Sequence, residues 1–391
     1  MGVVAGFLTA VVLLLPSPTS TAVSNPIAAA IQAAQPGDTV YVAAGTFTGS
    51  VTVPDGVTVV GQGSSSSWLK GKLTFGSNVV VRDLKIGDAG MYAVNNKDGA
   101  SNTTFERVRF RGGGGVNWTY VVKLGGSGGD CDHVTFKDCQ VERNLGVEVD
   151  GSDRGFNDVC IWTSANARVS DVTFEGCHIG VSNGQGGHDT GSPRMGLECF
   201  VSGGTTGYGW RNITLRNCVF EAADCHTADF SDQPEARGTG LLIEGCTFKG
   251  GGYTDVKWQW TLALEMPLNP VIRNNTFLRG NGVWGYELAI ANRGNAGYTT
   301  TGATITGNLF DLDADNGIPP VTDGWPFVLK GYDNRFTDNT VRCHYGTKAL
   351  FVLDSAYRNV ISGNTLQIGS RSLVTQINGS SGNTVAPNAV N

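Results

Sequence analysis

Five carboxylates and four indoles near the middle of the chain have the types and spacing for sugar chemistry. Glu198, Asp229, Glu265 and Glu287 each fall in a short segment of alternating pattern (LECF, ADFSD, LALEM, ELAI), and Asp232 closes the second of these. A period of two sends the apolar residues of such a segment to one side and the carboxylate to the other. Glycoside hydrolysis needs two carboxyl groups, about 5–5.5 Å apart for retention or about 6.5–9.5 Å for inversion. If the segments stack as parallel strands about 4.8 Å apart, neighbours approach the first distance and alternate strands the second. Trp210, Trp258, Trp260 and Trp284 lie in or beside the long connecting segments. Aromatic faces of this kind stack on the C–H face of a sugar ring. The carboxylates are therefore the catalytic candidates and the four tryptophans the substrate-binding ones.

Two other readings fit the same residues. A solvated acidic sheet face, or a chance cation site, would have the same sequence. Elimination chemistry would instead use a Lys or His base with an Arg or metal to neutralise charge, and His188, His226, Arg194 and Lys257 are available for it. No Cys/His cluster has zinc spacing and no Gly-rich stretch has the context of a phosphate cradle, so neither metal nor cofactor is expected.

The elements that must position these groups are read from an internal repeat. Ten segments align without gaps: VRDLKI ending at Ile86, FERVRF at Phe110, FKDCQV at Val141, FEGCHI at Ile179, LRNCVF at Phe220, IEGCTF at Phe248, IRNNTF at Phe277, ITGNLF at Phe310, FTDNTV at Val341 and ISGNTL at Leu366. First and sixth positions are apolar and the third is a polar or turn-forming residue. The fourth column reads Leu84, Val108, Cys139, Cys177, Cys218, Cys246, Asn275, Asn308, Asn339, Asn364. Identity kept in blocks is what stacking produces, because each residue in a column touches only those above and below it. Buried thiols fill a small dry slot, and buried amides satisfy one another along a ladder. The second column reads Arg82, Glu106, Lys137, Glu175, Arg216, Glu244, Arg273, then Thr306, Thr337, Ser362. Seven charges alternating in sign predict that each sits between two opposite ones on adjacent rungs.

Composition agrees with an all-β stack. Gly takes 56 of 391 positions and charged residues only 16%, which excludes a coiled coil, while 40% hydrophobic residues supply a large core. The net charge of −6 gives no reason to expect a nucleic-acid partner. Nine cysteines cannot all pair within one chain, and the four in register read as small buried thiols. Residues 1–24 form an apolar N-terminal segment, either a signal peptide or a retained anchor, too short to span a membrane. A helix is predicted from Asn25 as N-cap and Pro26, through IAAAIQAA, to the stop at Pro36-Gly37, with Ile27, Ala30, Ile31 and Ala34 on its apolar face. Strands alone follow it.

The Ala-rich cap helix, the PGDTVYVAAGTF segment, the repeated coils and the Asn ladder resemble the pectin-lyase-like superfamily of right-handed parallel β-helices. The resemblance implies a single-stranded right-handed parallel β-helix solenoid over residues 25–391, closed by a short N-terminal capping helix. Its members include polysaccharide lyases, glycoside hydrolases, epimerases and phage tailspikes. That implies a polysaccharide or cell-surface glycan as partner, and a virion-associated or secreted, extracellular setting. A tailspike-like, virion-associated glycan-binding protein, depolymerising or not and assembled as a homotrimer or in the virion, is the favoured reading. A secreted polysaccharide lyase or glycoside hydrolase, and a purely structural or adhesive β-helix, stay open. The polygalacturonase pattern is missing: no Asp-Asp pair occurs, and Gly187-His188-Asp189 is the nearest relic.

Overall fold

The computed structural model describes residues 26–88, 92–113, 119–142, 144, 156–181, 194–201, 208–221, 224–229, 236–249, 260–278, 286–291, 299–314, 325–385 and 387–390. Helix α1 (Pro26–Ala33) opens the chain and buries Ile27 and Ile31 against the first coil, as the Pro-led, Ala-rich sequence predicts. Among the described residues every later named element is a strand apart from short 3-10 turns, and every pairing between named strands is parallel, each inner strand bonding to the one three before it and the one three after it. The result is a right-handed parallel β-helix of three sheets. The first sheet runs from Thr39–Tyr41 to Thr384–Val385 and the second from Gly45–Thr48 to Ala389–Val390, each with 13 strands. The third runs from Val51–Val53 to Val374–Ile377, with 12. Thirteen rungs slightly exceed the eleven or twelve coils that the repeat spacing suggests, because the first and last rungs lie outside the aligned segments.

The aligned hexapeptides are the corners between the first and second sheets, and their register is the predicted one. Arg82, Glu106, Lys137, Glu175, Arg216, Glu244 and Arg273 are successive Cα partners, continued by Thr306, Thr337 and Ser362. Glu244 is gripped from both sides, by Arg216 at 3.4 Å and Arg273 at 2.8 Å. Glu106 instead turns to its neighbour Arg107. Exposed pairs of this kind contribute only about 0.2–1 kcal/mol each, so the column fixes register more than it adds stability.

The fourth column is buried throughout, and its amides are fully used. Asn308 donates Nδ2 to Ile272 O (3.0 Å) and to Asn339 Oδ1 (2.9 Å), while its own Oδ1 accepts from the backbone N–H and Nδ2 of Asn275 (2.9 and 3.0 Å). The same pattern continues through Asn339 and Asn364 to Asn388. Where thiols replace amides, each Sγ donates to a core carbonyl, as Cys139 does to Phe105 O at 3.4 Å. The blocks meet where Cys246 N–H donates to Asn275 Oδ1 at 2.8 Å. A second, shorter ladder of Asn334, Asn359 and Asn383 lines the corner between the third and first sheets. Inside, phenylalanines pile face to face: Phe220, Phe248, Phe277 and Phe310 have successive centroid distances of 4.8, 4.7 and 4.5 Å.

The third position of the corner carries a rule that the sequence reading did not extract. All ten residues there have positive φ, between 52° and 70°. From Asp138 onward they alternate strictly: Asp138, Gly176, Asn217, Gly245, Asn274, Gly307, Asp338, Gly363. Each Asp or Asn points its Oδ1 into the space where the glycine of the next rung would carry a Cβ. The two positions are only 2.4 Å apart at Gly245 and 2.6 Å at Gly307. The left-handed conformation admits Asp, Asn and Gly most readily. The overhang then forces glycine on every second coil.

Candidate functional site

The third sheet carries the chemistry. One of its columns runs Thr52, Thr74, Asn95, Lys123, Cys160, Glu198, His226, Ala263, Ala289, Val328, Val352, Thr375 in strict Cα partnership. Polar and titratable residues crowd its first half, and alanine and valine fill most of the second. The alternation of the strand turns this column away from Leu124, Ile161 and Cys199, which belong to the core.

Lys123 is the most constrained member. Its strand, Thr119–Gly125, is buried along its whole length, and Lys123 itself is 2% exposed. Nζ donates to Ser127 Oγ at 3.1 Å and lies 3.5 Å from Tyr92 Oη. It also sits 4.8 Å from the ring centres of both Tyr92 and Trp162. Tyr92 in turn stacks on Tyr120 at 5.9 Å. Among the described residues no carboxylate comes within ion-pair distance of this amine. Burial lowers the Lys123 pKa, against an opposing pull from Cys160. Burial also drives the Tyr120 phenol far above its ordinary value, with Cys160 and Glu198 adding to the effect. The Cys160 thiol is pushed strongly upward by its burial and then by Glu198. It is a packed thiol rather than a reactive one.

Glu198 stands on the rung after Cys160, two rungs from Lys123, and is 9% exposed. Its carboxylate accepts a hydrogen bond from Nδ2 of Asn157, itself fully buried on the preceding strand. The carboxylates of the acidic sheet face occupy different columns. Glu265 aligns with Ala228, Phe200 and Trp162, two residues further along the strand and two rungs away from Glu198, and is 2% exposed. Two rungs and two residues separate their Cα atoms by about 12 Å. Asp229 takes the register position of the core residue Val201. Glu287 follows Tyr286, the partner of Trp260, and so falls opposite Thr261, two positions before the Glu198 column. The cause is the pairing register, which the differing turn lengths shift from coil to coil.

The expectation for Trp210 is corrected. It is wholly buried in the hydrophobic core at the head of strand Arg211–Arg216 and presents no face to a sugar. Gly238 makes room for it: a Cβ there would lie 2.0 Å from the indole. Trp260 begins strand Trp260–Glu265, and its side chain, like those of His226, Asp229 and Glu287, lies outside the described part of the structure. Asp232, Trp258 and Trp284, with His188 and Lys257, fall outside the described residues. The sequence reading missed Tyr92, Tyr120, Lys123 and Asn157. A signal for Tyr120 and Lys123 was present, since TYVVKLG occupies the slot upstream of FKDCQV just as VCIW and LECF occupy theirs.

Among the described residues no three His, Cys, Asp or Glu gather as a cation site, and no helix is long and apolar enough to cross a membrane. No protein-family model matches the sequence, and no curated protein matches it. Among solved structures the chain is similar to the A-module of Azotobacter vinelandii mannuronan C-5 epimerase AlgE6, with a TM-score of 0.53, 16% identity and 94% of each chain covered. It is also similar to the AlgE4 A-module of the same organism (TM-score 0.45, 16% identity, 94% of this chain and 90% of that one). A third similar structure is the Dettilon tailspike protein (TM-score 0.49, 14% identity, 89% of this chain and 64% of that one). The AlgE6 likeness is one of fold, the right-handed parallel β-helix.

Proposed function

We propose that the protein acts on polysaccharide at the outer column of the third sheet, with Lys123, Tyr120 and Glu198 at the centre. The observation that carries this reading is the concentration of Lys123, Cys160 and Glu198 on three successive rungs, flanked by Asn95 and His226, in a column otherwise built from threonine, alanine and valine. A buried amine with a lowered pKa reaches its neutral, basic form at a lower pH than a surface lysine. The phenol of Tyr120 holds its proton and can give it up only to a stronger base formed during reaction. Glu198, fixed by Asn157, is placed to orient a hydroxyl or hold a proton.

This set suits removal of a C–H proton beside a sugar carboxylate better than hydrolysis. Such proton removal is the first step of both elimination and epimerisation of a uronate. Hydrolysis by a carboxylate pair is less well served, because Glu198 and Glu265 stand about two rungs and two residues apart, beyond either glycosidase spacing at the backbone. The fold of the mannuronan epimerase module supports testing polyuronates first. Access to Lys123 and Tyr120, each 2% exposed, requires the side chains packed over them to swing aside.

The narrower setting of a tailspike-like virion protein is supported by the cysteines alone. The eight described ones are buried and form no disulfide with one another, which fits assembly in a reducing compartment. A secreted lyase or hydrolase is the competing setting, and N-terminal sequencing that finds cleavage near Ala22 selects it. The activity is tested by incubating the protein with polyuronates and neutral glucans in deuterated water. The readouts are deuterium incorporation, unsaturated-product absorbance and new reducing ends. Deuterium or unsaturation with polyuronates supports the reading. New reducing ends alone return the case to hydrolysis, and no binding or turnover with any glycan leaves a structural or adhesive β-helix.

A further inference from the structure

The second sheet bears a cluster that the proposed activity does not use. Trp68, Lys85 and Arg109 are successive partners in one outer column. Lys70 and Arg111 flank it, each one position on past a core residue, Leu69 and Phe110 respectively, with the side-chain-free Gly87 as partner of Arg111. The three cations nearest the indole are Lys85, Lys70 and Arg111, at 4.5, 5.4 and 6.0 Å from its ring centre. Cation–π attraction thus gathers positive charge around one half-buried aromatic.

Two carboxylates answer four cations. Glu142, fully buried, is shared by Arg109 at 2.5 Å, Lys85 at 3.4 Å and Arg111 at 3.6 Å. Asp88 is shared by Lys70 at 3.3 Å and Arg111 at 3.5 Å. Among the described residues the patch therefore keeps a formal surplus of 4 − 2 = 2 positive charges, in a chain whose net charge is −6. Arg109 and Arg111 sit close enough to Lys85 to help lower its pKa, after burial as the main cause and against the pull of Glu142. An additional anion would relieve that crowding. Lys70 and Arg109 keep 41% and 32% of their side chains exposed, so the surplus faces solvent.

From this geometry we infer that the Trp68 patch is a binding surface for an anionic polysaccharide, carrying carboxylate or sulfate groups, separate from the third-sheet column. Rungs about 4.8 Å apart place Lys85 and Arg109 at a spacing close to one sugar residue of an extended chain. Guanidinium and ammonium groups pair with the carboxylate or sulfate groups of such a polymer. The same coils supply Tyr92 and Tyr120 further along, since Lys85–Gly87 leads into Val94–Asn96 and Arg109–Arg111 into Thr119–Gly125. A polymer held here would lie beside the coils that begin the candidate site, but the inference stands without that activity.

The test is affinity electrophoresis of the full chain in gels containing polygalacturonate, dextran sulfate or neutral dextran, at about 50 and about 300 mM NaCl. Wild-type protein is expected to be retarded by both anionic polymers and not by dextran, with retardation falling at least several-fold at the higher salt. Lys70→Glu, an exposed change, and Lys70→Gln/Arg111→Gln should each reduce it at least five-fold at unchanged melting temperature, while Arg358→Gln, which removes an exposed cation outside both sites, should leave it intact. Equal retardation of wild type and the Lys70 variants overturns the inference, as does equal retardation by dextran. Loss in Glu198→Gln with retention in the Lys70 variants assigns binding to the third sheet instead. Release by a few millimolar inorganic sulfate would show a small-anion site and likewise overturn it.

Discussion

Asn157 and Glu198 face each other across neighbouring rungs of the third sheet, the side-chain amide of the first donating to the carboxylate of the second. Both are buried, so the contact fixes one carboxylate orientation in a column that already holds Lys123 two rungs away. A carboxylate serving only as a solvated surface group would need no such anchor.

Glu198→Gln keeps the shape of the site and removes its charge. If the proposed proton transfer is correct, turnover of a polyuronate falls by at least about 100-fold, within the range for loss of a positioned acid or base. Glu265→Gln, in another column, should lose less than about 5-fold. Steady-state assays of both variants decide the point, and equal large losses would restore the carboxylate-pair mechanism.

Lys123→Met separates function from stability. The folded pKa of Lys123 lies below that of the unfolded chain, so the cost of burying its charge is present in full at low pH and is relieved as pH rises toward the ordinary lysine range. Removing the amine removes that cost. Thermal unfolding at pH 6 should therefore show Lys123→Met at least as stable as wild type, while activity disappears. In wild type the limb of the pH–rate profile that rises with pH should have its midpoint below the value of a free lysine.

Asn308→Leu tests the ladder. It strips acceptors from the backbone N–H and Nδ2 of Asn275 and the donor from Ile272 O, all buried. Asn275 Nδ2 keeps its bond to Ile243 O, so two groups are orphaned, and at about 1–3 kcal/mol each the total loss should be about 2–6 kcal/mol, seen as an earlier midpoint in urea unfolding. Cys218→Ala, which removes only the weaker sulfur acceptor of the Cys177 backbone N–H, should shift the midpoint much less.

Trp210→Ala should behave as a core truncation. Its indole is completely buried, so a loss of about 3–5 kcal/mol is expected. Glycan affinity at permissive temperature should be unchanged. A selective loss of binding with normal melting would reinstate the sugar-stacking role.

The fold was legible because stacking converts distant residues into neighbours, and neighbours leave blocks and alternations in the text of the chain. Glu106, Lys137 and Glu175 could be aligned by sign alone, and Asn275, Asn308 and Asn339 by identity. The site was less legible for the opposite reason. The third-sheet strands are separated from the ladder by connections of changing length, so Glu198, Asp229, Glu265 and Glu287 share a sequence pattern without sharing a column. Composition gave no hint that Trp210 is swallowed by the core, because that depends on the missing side chain of Gly238. Lys123 lay in a plain apolar strand, and its significance comes from Tyr92 and Trp162, which only the coiled path brings to it.

The alternation of Asp or Asn with Gly at the corners means that the molecule is modular in pairs. Deleting residues 308–338 would close the amide ladder, with Asn339 following Gly307, yet it would set Gly307 beneath Gly363 and leave one overhang empty. Deleting 275–338 would join Asn274 to Asn339 and restore the sequence Gly245, Asn274, Gly363 with every overhang filled. Shortening or lengthening this tower by even numbers of storeys should preserve its fit. Odd numbers should leave a seam.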